Sequence, residues 1–274
     1  MDKIQDHILI DTPSDAHASS AQNVYSAKKS LVMHCLGPSM VNCPLLIGGT
    51  CTKAKVAKCI LLDFKTPQSY NLIRAYASSY LHKPLILWGS ERLLPETINI
   101  VVNQLLQHNV THKAHACQLL NDKEWVKFAP ATTDDVVDIV NMYNTSSGIS
   151  RYRRFFTASF VSTEQVRTSL NSNFTYLAKL SGITIACAQL AVTGSVGDVA
   201  VFVHDKYQSN RLGSILFHLI VSIAIQRNLQ RLRASVLIDN IPMRHIIEKS
   251  SLVISDKHVS ENVVEYTMLV RAQN

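Results

Sequence analysis

Val199–Ile225 reads VAVFVHDKYQSNRLGSILFHLIVSIAI. Its first five residues, Val199–Val203, form a continuous apolar run of the kind that makes a buried strand. A polar segment rich in small residues follows, with Gln208, Ser209, Asn210, Gly213 and Ser214. From Gly213 onward the chain is apolar for the length of a helix. A strand, a short loop and a helix start together make an anion-binding device. The first helical turn has free backbone N–H groups and the positive end of the helix dipole, both directed at the loop. The spacing predicts that this loop cradles a pyrophosphate.

Working outward from this core, the second half alternates strands and helices. Pro130-Ala-Thr-Thr-Asp-Asp135 is a helix-start signal, with Thr133 as cap and Asp134 and Asp135 in the first turn. A helix over Asp134–Tyr143, a possible second helix, and strands at Tyr176–Leu180, Thr184–Val192 and Val199–Val203 are expected. After the helix at Gly213 come a strand at Leu232–Leu237, a helix from Pro242 to Lys249 and a final strand at Val263–Val270. Met142, Phe155, Phe156, Phe202 and Phe217 read as core.

The first half has a different rhythm. Residues 1–29 are polar, with one apolar patch at Ile8–Ile10, and part of this segment is expected to be mobile. Strands are expected at Leu31–Leu36, Cys43–Gly49, Cys59–Phe64, Pro84–Trp88 and Lys113–Leu119. Helices fit between them, one opened by Thr66-Pro67 and one from Pro95 to His108. This βα alternation predicts a small doubly wound α/β domain over residues 30–122, with a second domain over 126–274.

Composition bounds the function. The chain has 274 residues, is 47% hydrophobic and carries a formal charge of +7. Such a charge suits an anionic ligand, but the basic residues form no stripe with interleaved aromatics, which argues against nucleic acid. Six cysteines, Cys35, Cys43, Cys51, Cys59, Cys117 and Cys187, show no Cys-x-x-Cys pair. They predict free thiols in a cytoplasmic setting, with no metal site and no disulfide framework. Nothing at the N-terminus resembles a signal peptide, and the longest apolar run, Ile215–Ile225, is too short to span a bilayer.

The loop resembles the acetyl-CoA loop of the GNAT superfamily of N-acetyltransferases, Gln/Arg-x-x-Gly-x-Gly/Ala. Here it reads Gln208-Ser209-Asn210-Arg211-Leu212-Gly213, with Arg211 in place of the middle glycine. Ser150-Arg-Tyr-Arg-Arg-Phe-Phe156 followed by Ser162 resembles a segment of Pat-type protein lysine acetyltransferases. Gly197-Asp-Val-Ala-Val201 and Val236-Leu-Ile-Asp-Asn240-x-x-Met243 resemble two further stretches of those proteins. The first half resembles, through LLDF at Leu61–Phe64 and KPLILW at Lys83–Trp88, the flavodoxin-like domain of succinyl-CoA ligases and acyl-CoA synthetases. A receiver domain with Asp63 as phosphoacceptor is the rival reading of that half.

The resemblance implies a C-terminal α+β GNAT domain with a mixed, splayed sheet. It also implies an enzyme that moves an acetyl group from acetyl-CoA to a primary amine, with a protein lysine as acceptor, or a small-molecule amine. Asp198 aligns with the glutamate that serves as general base in Pat-like enzymes. The implied acetyl-CoA contacts are Val201, Phe202 and Val203 on the strand, Gln208, Ser209, Asn210, Arg211, Leu212, Gly213 and Ser214 on the loop, and Asn240 and Met243 beyond. The family's tyrosine acid in the last helix has no counterpart, since Ile246 and Ile247 occupy that region. Arg211 and Asp198, as departures, keep open a weakened GNAT that senses acyl-CoA.

Overall fold

The computed structural model describes residues 7–12, 31–36, 59–63, 85–88, 116–120, 124–250 and 252–270. The chain divides into two compact units, Met1–Trp125 and Val126–Asn274. In the first, the described strands are β1 (His7–Thr12), β2 (Leu31–Leu36), β3 (Cys59–Asp63), β4 (Leu85–Trp88) and β5 (Ala116–Leu120). All pair in parallel, in the spatial order β2-β1-β3-β4-β5. The apolar patch at Ile8–Ile10, inside the stretch expected to be in part mobile, is the middle of β1 and pairs on both sides. The strand expected at Cys43–Gly49 and the helices from Thr66 and Pro95 lie outside the described residues.

The second unit is a seven-stranded mixed sheet with helices on both faces. Its strands are β6 (Glu124–Pro130), β7 (Phe174–Leu180), β8 (Ile183–Thr193), β9 (Val196–Val203), β10 (Arg231–Leu237), β11 (Val253–Ser260) and β12 (Val263–Leu269). Its helices are α1 (Val136–Thr145), α2 (Gly148–Phe155), α3 (Thr163–Ser172), α4 (Leu212–Gln226) and α5 (Ile241–Glu248). The strand order is β11-β12-β10-β9-β8-β7-β6. From β6 to β9 the pairing is antiparallel, β9 and β10 are parallel, and β10 to β11 is antiparallel again.

α4 packs on one face, and its composition explains why. Leu212, Gly213, the whole of Ile215–Ser222 and Ala224 are buried, so it is apolar almost all round, as a central helix must be. It rests on β7, β8 and β9. Each fully buried Leu, Ile or Phe contributes about 1.5–3 kcal/mol. The opposite face carries α1 and α3. There Val136, Ile139, Met142, Tyr143 and Val166 pack on Leu177, Cys187 and Phe202 of the sheet. Tyr143 meets Phe155 and Phe202 edge-on at 4.9 and 4.8 Å and shares a hydrogen bond with Cys187 Sγ at 3.0 Å. Burial, ahead of every other cause, pushes both the Tyr143 hydroxyl and the Cys187 thiol up.

Several local expectations change. The cap before α1 is Thr132, not Thr133: Asp135 Oδ2 accepts from the Thr132 backbone N–H at 2.7 Å and from its hydroxyl at 3.0 Å. One turn of 3-10 helix then precedes α1, because Pro130 still belongs to β6. β11 was not expected at all. Its burial pattern is almost wholly exposed, and a polar edge strand leaves no apolar alternation to find. Met142, Phe202 and Phe217 are core, but Phe156 is 44% exposed. It ends α2 in the left-handed region at φ 58°, which turns its ring away from the core.

Gly197 shows how tightly β9 lies under the helix layer. A Cβ there would stand 2.6 Å from Leu190 Cδ1 and 3.0 Å from both Leu229 Cδ1 and Leu232 Cδ2. Overpacking of this kind costs about 1–3 kcal/mol. Gly197→Val is expected to lower the unfolding free energy by that order, read as a lower urea midpoint with the slope unchanged, and an unaltered midpoint would contradict the packing described.

Candidate acetyl-CoA site

The site begins where two parallel strands part. β9 and β10 pair only through Arg231 with Val196, Leu232 with Gly197 and Arg233 with Asp198. Beyond that point β9 continues to Val203 and β10 to Leu237 without pairing to each other, so the sheet opens. The His204 N–H donates to Ile185 O at 3.0 Å, toward β8. Alternation along an antiparallel strand then turns the N–H groups of Val201 and Val203 toward the opening. Gln208 Nε2 reaches Val203 O in that opening at 3.2 Å.

The loop after β9 is braced from within. The His204 ring accepts from Lys206 N at 3.3 Å, and Asn210 Nδ2 donates to Tyr207 O at 3.2 Å and Gln208 O at 3.0 Å. Two non-glycine residues adopt positive φ, Ser209 at 64° and Arg211 at 61°. Arg211 therefore occupies, with a side chain, the conformation for which glycine is favoured. α4 starts there, with Ile215 N donating to Arg211 O at 3.1 Å. The first N–H groups of α4 have no intrahelical acceptor and mark its positive end. A Cβ on Gly213 would lie 3.1 Å from Ile246 Cδ1, 3.7 Å from Val203 Cγ2 and 3.8 Å from Val201 Cγ1. The glycine thus keeps a narrow passage between helix, strand and α5.

α5 and α2 supply the other walls. Asn240 caps α5, its side-chain oxygen accepting from Met243 N at 3.3 Å. Asp205 ties the start of α2 to the loop. It accepts from the Ser147 N–H at 2.7 Å, the Ser147 hydroxyl at 2.9 Å and the Ser150 hydroxyl at 2.6 Å. Gln208 Nε2 donates to Ser150 Oγ at 3.3 Å. Burial alone would raise the Asp205 carboxyl, but hydrogen bonds from Ser150 and Ser147 outweigh it and hold it below its ordinary value. At the far end of α2, Arg153 pairs with Asp239 at 3.1 Å, next to Asn240.

These walls enclose a cavity of about 450 Å³. Of the residues expected to contact acetyl-CoA, Val201, Phe202, Val203, Gln208, Ser209, Arg211, Leu212, Gly213, Ser214, Asn240 and Met243 line it. Asn210 does not, and braces the loop instead. Asp198 is not in the lining either. It forms a two-pronged ion pair with Arg233, at 2.9 Å to Nε and 2.9 Å to Nη2, and raises the guanidinium pKa.

Sequence reasoning missed Ser150, Arg153, Arg154, Tyr207, Ile241, Pro242, His245 and Ile246, which also line the cavity. Ile246 lies three residues after Met243, so helical spacing alone points to it. The arginines stood in the quoted Ser150–Phe156 motif but carried no assignment to a cavity.

The acetyltransferase (GNAT) family matches residues 137–251. The fold is similar to the GNAT domain of PAT from S. lividans, at 23% identity and a TM-score of 0.51, over 56% of this chain and 96% of that domain. An acetyltransferase of the GNAT family from Streptococcus pneumoniae shares 21% identity over 53% of this chain and 98% of its own, with a TM-score of 0.44. A spermidine N-acetyltransferase from Vibrio cholerae, in complex with CoA and spermine, shares 13% identity over 53% of this chain and 95% of its own, with a TM-score of 0.45. The C-terminal unit has the GNAT acetyltransferase fold, and most of it matches the family.

Two predictions concern the loop. A depressed carboxyl pKa stabilises the fold above the unfolded-state value, ordinarily 3.8, and that contribution is lost as pH falls through the lower folded-state value. The melting-temperature gap between wild type and Asp205→Asn should be widest near neutral pH and close below pH 3.8. A gap that widens with acid would contradict the bonding around Asp205. A left-handed conformation costs a side-chain-bearing residue about 1–2 kcal/mol. Arg211→Gly should therefore melt no lower than wild type, whereas Arg211→Val, β-branched at positive φ, should melt several degrees lower.

Proposed function

We propose that this chain transfers an acetyl group from acetyl-CoA to a primary amine, with a protein lysine as acceptor, in the cytoplasm. The observation that carries the reading is a single cavity joining the free N–H groups at the start of α4 to the opening between β9 and β10. Eleven of the twelve residues expected to contact acetyl-CoA line it.

The residues fit the co-substrate. The loop and the first turn of α4 offer N–H donors to a pyrophosphate, and Arg211 adds positive charge. Asn240 and the edge of β9 suit the amide-bearing pantetheine arm. The N–H groups of Val201 and Val203 suit a carbonyl that gains negative charge during acyl transfer. In the transfer, the C–N bond forms as the C–S bond breaks, CoA leaves as thiolate, and one amine proton must be removed. Asp198 is the proposed base. It stands on the same face of β9 as Ala200 and Phe202, two and four residues away along the strand, so a water relays the proton.

For the first unit, the proposed reading is a flavodoxin-like domain. What supports it is five parallel strands in the order β2-β1-β3-β4-β5, the order of doubly wound flavodoxin-like sheets. A second reading of the whole chain, an acyl-CoA sensor, draws support from the location of Asp198 outside the cavity lining.

Calorimetric titration with acetyl-CoA and CoA separates these from a bare scaffold. Wild type should bind both, and Gly213→Trp, which fills the passage beside Ile246 and Val203, should bind neither. Wild type that fails to bind at millimolar ligand would sink both readings. Asp198→Ala should then lower kcat/KM for acetylation by about 10²–10⁴-fold while CoA binding persists. Binding without acetylation of any amine by wild type would leave the sensor.

A further inference from the structure

Among the described residues the cavity is cationic: Arg153, Arg154 and Arg211 are in its lining, and no Asp or Glu is. Arg211 belongs to the loop at α4, but Arg154 belongs to the other side of the sheet. It donates to Gln189 Oε1. Gln189 pairs with Ala200 across β8 and β9, so its side chain shares the face of Phe202 and Asp198, away from α4. The cavity thus has an anion-binding loop at one end and a second guanidinium at the other, on the two sides of the opened sheet.

Arg154 is fixed in place. Gln189 is only 9% exposed and donates to Ser169 Oγ at 2.9 Å and Thr175 Oγ1 at 3.4 Å. The Arg154 guanidinium carbon lies 4.8 Å from the centre of the Phe155 ring. Arg153 has its counter-ion in Asp239, whereas Arg154 has no carboxylate partner among the described residues. Its Nε is buried without a hydrogen-bond partner. A held, half-buried guanidinium without a counter-ion is unfavourable until a ligand supplies negative charge; with Nε buried and Nη2 given to Gln189, Nη1 is the donor left to meet a carboxylate.

We infer that the acceptor carries a carboxylate beside its amine and that Arg154 binds that carboxylate. The inference rests on the acetyl-transfer reading and narrows its substrate class. It selects a lysine flanked by aspartate or glutamate, or a free amino acid, over a polyamine or a lysine among basic residues. A polycation entering a carboxylate-free cavity beside Arg154 meets only like charge. The same guanidinium disfavours a protonated amine nearby, which eases release of the proton before attack.

The test uses the full chain with saturating acetyl-CoA. The acceptors are end-blocked pentapeptides with one central lysine flanked by aspartates, glycines or arginines, and free L-alanine. The expected order of kcat/KM is aspartate, glycine, arginine, with roughly tenfold or more between the extremes, the scale of a charged hydrogen bond. Arg154→Gln should bring the aspartate-to-glycine ratio close to one through a rise in KM, and Arg154→Lys should restore part of it. Circular dichroism and thermal melting check that each variant is folded. Acetylation of L-alanine with the same KM response, in place of the aspartate peptide, assigns the carboxylate to a small acceptor. An equal loss of kcat on every acceptor would place Arg154 at the thioester and overturn the inference, as would a preference for the arginine peptide. Should no acceptor turn over, equilibrium binding of the three peptides to the protein–CoA complex decides. A preference for the aspartate peptide that Arg154→Gln removes upholds the charge assignment while acetyl transfer fails, and no preference overturns it.

Discussion

Everything in the C-terminal unit that bears on function depends on one constraint: β9 and β10 share only three paired positions before they part. A continuous sheet would satisfy the backbone of Val201 and Val203 with a neighbouring strand. The divergence leaves those N–H groups facing a cavity, and a strand edge inside a domain is a binding surface. The opening is held from both ends. Gly197 and the leucines around it lock the paired end, while α4, α5 and α2 frame the open end. The anion-binding start of α4 gains its role from this arrangement, since it faces a slot that already presents amide donors.

The polar bonds around the slot tie its walls together. Asp205 gathers Ser147 and Ser150 and so fastens α2 to the loop, and Arg153 reaches Asp239 beside the cap of α5. Exposed ion pairs of the second kind add little stability, about 0–1 kcal/mol each. Their consequence is positional: they fix where Arg154 and Asn240 stand. Asp198, Asp205 and Asp239 are each engaged by a partner, Arg233, Ser150 and Arg153 respectively, and none of the three carboxylates is in the lining, which is left cationic.

The sequence made parts of this legible and hid others for physical reasons. The Val199–Ile225 stretch was readable because a buried strand, a polar turn and a helix apolar on all sides leave a sharp compositional record. Asn240 was reached through the resemblance of the Val236–Met243 stretch, and its role as the cap of α5 is a structural finding. β11 was not, since an exposed edge strand has no apolar period. The shift of the cap from Thr133 to Thr132 follows from which of two adjacent threonines bonds Asp135, a choice made by geometry. The far wall of the cavity was hidden because Arg154 acquires its position from Gln189, thirty-five residues away, and a tertiary contact leaves no local signature. The ion pair of Asp198 with Arg233, another thirty-five-residue separation, was hidden in the same way.

The most direct test of the central claim, that the opening between β9 and β10 together with the start of α4 is one acetyl-CoA site, is amide hydrogen exchange with and without acetyl-CoA. The account predicts slowed exchange at Val201–Val203, at Ser209–Ser214 and in the first turn of α5, with the remainder of the C-terminal unit little changed. Slowed exchange confined to other segments, or none at saturating acetyl-CoA, would contradict it.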